Sequence, residues 1–272
     1  MLKQNTVRSL LFLLCCLSLC STQFAAAGAR EDGLQAFKSG EYDTALQYWT
    51  PLAEAGDKEI QYNLGVMYNE GRGVEKDIEK AIKWLRKAAD QDDPDAQFRL
   101  GKLYTLGTET KQDLRLAERW IRKAANNKHG AACYYMAQFY AHGKVVNKDD
   151  DIALRWYYKA AALNNTSAQY NLGYMHEHGM GVPKNLPEAF RWYETAARLG
   201  AADAQANLGR LYYNGLGTDK NPVLAFVWFH LAAEQNQSKA EKSAKFTFRN
   251  LKPADQVQAM AMADEFKNKF LK

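Results

Sequence analysis

An all-α chain, built as a stack of helix–turn–helix repeats, is what this sequence predicts, and three observations carry the prediction. Tryptophan recurs at 84, 120, 156, 192 and 228, a step of 36 residues each time. Upstream, a Leu-Gly pair returns at the same spacing, at Leu64-Gly65, Leu100-Gly101, Leu172-Gly173 and Leu208-Gly209, with Met136-Ala137 in the middle copy. Between pair and Trp lies a seven-residue linker that opens with Gly and closes with Asp or Asn: GRGVEKD (71–77), GTETKQD (107–113), GKVVNKD (143–149), GMGVPKN (179–185) and GLGTDKN (215–221). A fixed period of this kind marks a repeat architecture, in which each unit buries its apolar face only against the next.

The N-terminus stands apart from the repeats. Lys3 and Arg8 precede the apolar run Leu10 to Leu19, and small residues follow at Ala25-Ala26-Ala27-Gly28-Ala29. A basic start, a short apolar run and an A-x-A site spell a secretory signal, so residues 1–27 are read as a segment cleaved after Ala27. The run is too short to span a bilayer comfortably. In Leu17-Ser18-Leu19-Cys20 a bulky Leu stands where lipoprotein signals carry a small residue, which makes an anchor on Cys20 the weaker reading. The mature chain is then expected to be periplasmic or secreted, with no integral membrane segment. Cys15, Cys16 and Cys20 leave with the signal, so Cys133 remains alone and no intrachain disulfide can form. Cleavage also removes Lys3 and Arg8 and leaves a net charge of +3, a balance that does not call for nucleic acid.

Residues 28–58 read as a shorter helix pair that caps the stack, with Trp49 one residue off the 36-step. Five repeats of 36 residues then occupy 59–239. In each, apolar and small residues fall at i, i+3, i+4 and i+7 around the Trp (Ala81, Trp84, Leu85, Ala88), one face of a helix. On this pattern the Trp is expected to be the wedge between helices and the alanines the contact. The recurring Gly lies inside the preceding helix, where it costs about 1 kcal/mol relative to Ala; its return implies a second helix pressed against it. The linker Gly suits the left-handed end of the first helix. Asp77, Asp113, Asp149, Asn185 and Asn221 cap the second, and Pro187 and Pro222 sit in its first turn. Residues 240–272 leave the pattern: Lys245 replaces the helix Gly, and after Pro253 a last helix places Ala259, Met262, Ala263, Phe266 and Phe270 on one face, suited to cover the open end.

These residues resemble the Sel-1-like repeat family, the relative of tetratricopeptide repeats whose units run A-x-x-x-L-G-x-x-Y, G-x-G-V, D-x-x-K-A-x-x-W-Y-x-K-A-A. The likeness covers residues 59–239, while 33–58 look closer to a tetratricopeptide unit. It implies a right-handed α-solenoid, a superhelix used as a scaffold for other proteins. Disulfide-stapled members credited with β-lactam binding or hydrolysis carry a cysteine pair in each repeat. This chain has none, so that activity is not carried over.

No catalytic constellation emerges, and no cofactor or metal is expected. His176 and His178 are two apart on a helix and point to nearly opposite sides. His142 and His178 precede a helix-ending Gly, where the macrodipole favours them. The G-x-G loops lack the preceding strand of a nucleotide site. Cys133, in the slot held elsewhere by Gln61, Gln97, Gln169 and Gln205, reads as a quiet core thiol. The ladder Lys83, Arg119, Arg155, Arg191 reads as a solvated face.

The resemblance also implies that the first helix of each unit lines a concave groove. Its positions read Tyr62, Phe98, Tyr134, Tyr170, Ala206; then Val66, Lys102, Gln138, Tyr174, Arg210; then Asn69, Thr105, Ala141, Glu177, Tyr213. The aromatic row serves packing or binding. Lys102, Tyr174, Arg210 and Tyr213 sit where the repeat varies and are the contact candidates; truncating Lys102, Tyr174 or Arg210 is expected to change stability by no more than about 0.5 kcal/mol each, while the three together weaken a protein or peptide partner's grip. The chain therefore reads as a non-enzymatic exported scaffold. A peptidoglycan- or polysaccharide-binding envelope protein is the alternative, and a β-lactam or cell-wall hydrolase comes last.

Overall fold

The computed structural model describes residues 26–108 and 110–271; the segment read as a signal, Cys20 included, lies outside them apart from Ala26 and Ala27. Among the described residues the secondary structure is helical throughout, with no strand. The helices are α1 (26–38), α2 (Tyr42–Glu54), α3 (Lys58–Glu70), α4 (Ile78–Ala89), α5 (Pro94–Leu106), α6 (Leu114–Asn126) and α7 (Gly130–His142). They continue as α8 (Asp150–Ala162), α9 (Thr166–His178), α10 (Leu186–Arg198), α11 (Ala202–Asn214), α12 (Pro222–Glu234), α13 (Ser238–Arg249) and α14 (Pro253–Phe270). The chain divides into two compact units, the first ending at Ala124 and the second beginning at Ala125. Each is a run of packed helix pairs, and the fold is an α-solenoid of helix–turn–helix repeats.

One construction recurs in both units. The first helix of a repeat ends on a left-handed Gly, as at Gly71 (φ 70°) and Gly179 (φ 73°). The closing Asp or Asn of the linker then caps the second helix, Asp77 Oδ1 accepting from the Lys80 N–H at 2.9 Å and Asn185 Oδ1 from the Glu188 N–H at 3.0 Å. The cap residue's own N–H reaches back nine residues, Asp77 to the Tyr68 carbonyl at 2.9 Å and Asn185 to that of His176 at 2.8 Å, closing the loop. The turn into the next repeat is tighter and needs one left-handed residue, at Asp92, Lys128, Asn164, Gly200 and Asn236. A side-chain bond then ties the repeats. Gln61 donates to the Ala53 carbonyl (2.8 Å), Gln97 to Ala89 (2.9 Å) and Gln205 to Ala197 (3.1 Å), while the Cys133 thiol makes the weaker equivalent to Ala125 at 3.5 Å.

The residue that presses on the helix glycine is not the Trp. A Cβ on Gly65 would lie 2.6 Å from Leu85 Cγ, on Gly101 2.3 Å from Ile121 Cγ1, on Gly173 2.7 Å from Tyr193 Cδ1 and on Gly209 2.8 Å from Phe229 Cδ1. Each of these is the residue after a repeat Trp. The Trp lies further out: Trp120 and Trp156 are 8% exposed against 0% for Ile121 and 2% for Tyr157. Lysines lie over the outer faces of Trp84, Trp120 and Trp156, with Lys87, Lys123 and Lys159 Nζ at 4.2, 4.7 and 4.2 Å from the ring centroids. The wedge is thus the residue following the Trp; in the first three repeats the Trp closes the edge of the core under a lysine, whereas Trp228, 3% exposed against 8% for Phe229, lies under the rings of α14. This register also explains Trp49. It stands 36 residues before Leu85, is 1% exposed, and its Nε1 would meet a Cβ on Gly33 at 2.3 Å. Trp49 is the wedge of the first pair, not a displaced member of the Trp ladder.

At the other end, α13 and α14 pack on α12. α14 brings Phe266 and Phe270 to 5.3 and 5.7 Å from the Trp228 ring and buries Ala259 and Ala263. It opens as Pro-Ala-Asp-Gln, and Gln256 donates to the Phe248 carbonyl at 2.9 Å, the same eight-residue tie that Gln97 makes after Pro94-Asp95-Ala96.

Candidate functional site on the first helices of the repeats

The side chains proposed to face a partner are spread over the two units. In the first, Tyr62 and Phe98 are half-buried, and burial pushes the Tyr62 phenol above its ordinary range despite the cation of Arg99 beside it. Lys102 folds back over its own helix, its Nζ 5.9 Å from the Phe98 centroid. This unit offers a half-buried aromatic edge with a lysine laid along it.

The second unit brings more of the predicted residues together. Tyr134 lies against the wedge Tyr157 (centroids 6.0 Å apart), and Gln138 Nε2 donates to both hydroxyls, at 3.0 and 2.9 Å. His142 Nε2 in turn meets Gln138 Oε1 at 2.7 Å. One repeat on, Tyr170 lies against the wedge Tyr193 at 5.7 Å, and Asn207 Nδ2 donates to the Tyr170 hydroxyl at 3.5 Å. Burial raises the phenol pKa at Tyr134, Tyr157, Tyr170 and Tyr193. The aromatic row therefore covers the wedge residues with its rings while its hydroxyls stay at the polar edge.

Glu177 is buried, 9% exposed, and Arg210 Nη2 donates to its two carboxylate oxygens at 2.6 and 2.7 Å. The Tyr193 hydroxyl donates to Oε2 at 3.0 Å, and the Glu177 charge adds to burial in raising the Tyr193 phenol. Two residues that read as variable in sequence thus form an internal ion pair that ties α9 to α11. Tyr174 is the open member of the row, 41% exposed and stacked on His178 at 4.1 Å. Tyr213 meets Phe246 edge-on at 6.3 Å and carries Lys220 Nζ at 5.6 Å from its ring centre.

Phe246, which the sequence reading left out, is 59% exposed. It stands 36 residues after Arg210 and so continues the row Val66, Lys102, Gln138, Tyr174, Arg210 onto α13. Loss of the helix Gly to Lys245 hid that register. A cleft of about 410 Å³ opens beside it, lined from α11, α12 and α13.

The histidines separate as their spacing required. His176 is buried with Nε2 2.7 Å from the Tyr158 hydroxyl, His178 is exposed with Nδ1 2.9 Å from the Tyr174 carbonyl, and burial depresses the His176 pKa. Cys133 is 1% exposed, and burial pushes its thiol up. Among the described residues no group of three or more His, Cys, Asp or Glu is placed to hold a metal, and no helix is long and apolar enough to cross a membrane.

Comparison with known proteins places this geometry. The profile of the Sel1 repeat matches residues 59–93, 94–129, 130–165, 166–200 and 202–237. The crystal structure of a Sel1 repeat protein from Oxalobacter formigenes is similar at a TM-score of 0.74 and 32% identity, over 86% of this chain and 98% of that one. That of c5321, described as a protective antigen present in uropathogenic Escherichia coli strains and displaying an SLR fold, is similar at a TM-score of 0.75 and 29% identity. There the likeness covers 84% of this chain, which spans about half (49%) of that protein. Among curated proteins, the mouse DAP3-binding cell death enhancer 1 is 38% identical over 50 residues, 18% of this chain and 10% of that protein.

Proposed function

The chain belongs to the Sel1 repeat family, a family of protein-interaction scaffolds, and we propose that it is an exported, non-enzymatic member that holds a protein or peptide partner on the first helices of its repeats. The observation that carries the reading is the row of Tyr174, Arg210 and Phe246 on α9, α11 and α13, with Tyr213 of the neighbouring row beside it. Tyr174 and Phe246 are exposed at 41% and 59%, well beyond what core packing asks of an aromatic. Tyr and Arg are the residues that dominate binding hot spots. By likeness to related stacks this is the side that lines the concave surface. The signal-like N-terminus supports an envelope setting, periplasmic or secreted, and mass spectrometry of the protein from cells tests it: a mature N-terminus at Gly28 or Arg30 is expected, and residues 1–27 intact or a lipid on Cys20 contradicts it.

The functional test is affinity capture from envelope extract, run beside binding to purified sacculi, with wild type and Tyr174→Ala/Tyr213→Ala. The scaffold reading expects a saturable protein partner lost in the double variant and no retention on sacculi. Retention on sacculi, or turnover in a nitrocefin or zymogram assay, points to the wall-binding or hydrolase reading instead.

A further inference from the structure

We infer that the cleft between α11 and α13 is an anchor pocket for a peptide that inserts one aromatic side chain with a carboxylate close beside it. The inference rests on the scaffold reading for its setting and adds what the partner must carry. The cleft is walled by Tyr213 and Phe246, has the wedge Phe229 at its inner side, and carries Arg210, Lys242 and Thr247 around it; its volume is about 410 Å³. That lies toward the small end of ligand pockets, about 300–1,000 Å³, and suits one side chain.

The register explains why an opening exists here. In the two preceding repeats the wedge is covered by an aromatic ring 23 residues upstream, Tyr134 over Tyr157 and Tyr170 over Tyr193. For Phe229 that position holds Ala206, and on α13 the equivalent position is Lys242. The aromatic row stops where the cleft begins, and an aromatic ring from a partner would replace what the repeat omits. Offset or edge-on rings at about 4.5–7 Å are the favoured geometry, and Tyr213 and Phe246 already stand edge-on at 6.3 Å.

Charge sets the second requirement. Among the described residues no carboxylate lines the cleft. Arg210 is balanced by Glu177, which leaves Lys242 as the cation at its rim. The hollow on the other side of α13 contrasts with it: Glu234 and Glu241 line that one, and they pair with Lys267 and Lys245. An acidic group next to the inserted ring complements Lys242, whereas a basic one meets two cations.

The test uses the whole chain, ¹⁵N-labelled, titrated with a synthetic Gly-Ser-Phe-Asp-Asp-Ser-Gly peptide and with versions carrying Ala for Phe or Lys for both Asp. Saturable shifts confined to α11, α12 and α13 are expected, at least tenfold weaker for either altered peptide and for Phe246→Ala or Lys242→Glu. Both substituted side chains are at the surface, and unchanged melting of the variants separates lost binding from lost fold. Equal binding of the Ala peptide, or no saturable shift in the cleft, overturns the anchor. Partner capture that survives Phe246→Ala and fails in Tyr174→Ala overturns it too, while leaving the scaffold reading in place.

Discussion

Arg210→Ala is expected to destabilise the second unit far more than a surface substitution does. The change leaves the Glu177 carboxylate, whose side chain is 11% exposed, with the Tyr193 hydroxyl as its remaining side-chain donor among the described residues. Removing one partner of a fully buried ion pair costs about 3–5 kcal/mol, and hydrogen bonds to charged groups contribute about 1.5–3 kcal/mol net. The Arg210 side chain is 37% exposed, so water can enter the vacated place and the lower range applies, about 1.5–2.5 kcal/mol. Glu177→Gln keeps the shape and an acceptor for Tyr193 and should cost about 1 kcal/mol. The pair should be coupled, with the double variant less destabilised than the two singles together by about 1 kcal/mol or more. Urea unfolding followed by circular dichroism at pH 7 gives all four midpoints of the cycle. Arg210→Ala within about 0.5 kcal/mol of wild type and additive with Glu177→Gln would refute the pairing argument.

Three further outcomes follow from the packing and the buried groups. Gly101→Ala gains about 1 kcal/mol of helix propensity but drives a methyl to 2.3 Å from Ile121 Cγ1 and 3.2 Å from the Ala117 carbonyl; overpacking costs about 1–3 kcal/mol, so the midpoint should fall, and a rise would mean the helices are not in tight contact there. His176 has its pKa depressed, chiefly by burial and against the pull of Glu188. Below about pH 6.5 the unfolded chain therefore binds the proton more readily, and stability should drop as pH falls through that value; His176→Tyr, the residue of the other repeats, should flatten this part of the profile, and an unchanged slope would contradict the burial argument. Ending the chain after Leu251 removes the Phe266 and Phe270 rings from Trp228; light scattering should then show self-association, and a monomer with unchanged melting would show that α14 covers nothing of consequence.

Much of the fold was legible because a repeat states its rules five times. The linker Gly and the capping Asp or Asn each answer one backbone requirement, and the structure puts them to those uses. The wedge was misplaced for a physical reason. Trp draws the eye by size, yet its neighbour is Leu, Ile, Tyr, Tyr or Phe, a position fixed by shape against Gly or Ala and not by identity. Trp49 looked out of step only because it was aligned with the wrong one of the two. The Gln-to-carbonyl tie was visible as a column of Gln, but its bond depends on the following turn bringing the Ala carbonyl near. The placement of the candidate residues on the first helices was legible, their mutual contacts less so. Glu177 and Arg210 lie 33 residues apart on different helices, and no periodicity announces that they neutralise each other. Phe246 is the recoverable omission: counting 36 from Arg210 finds it.

Partner contact is expected on the first helices of the repeats in the second unit and not on the second helices. Placing a photoactivatable phenylalanine at Tyr174 or Phe246, and separately at the exposed Arg191 on α10, tests it in intact cells that make the full chain. One defined cross-linked partner is expected from Tyr174 and Phe246 and none from Arg191. A partner that cross-links from Arg191 while Tyr174 and Phe246 stay silent would contradict it and move the binding face to the basic ladder.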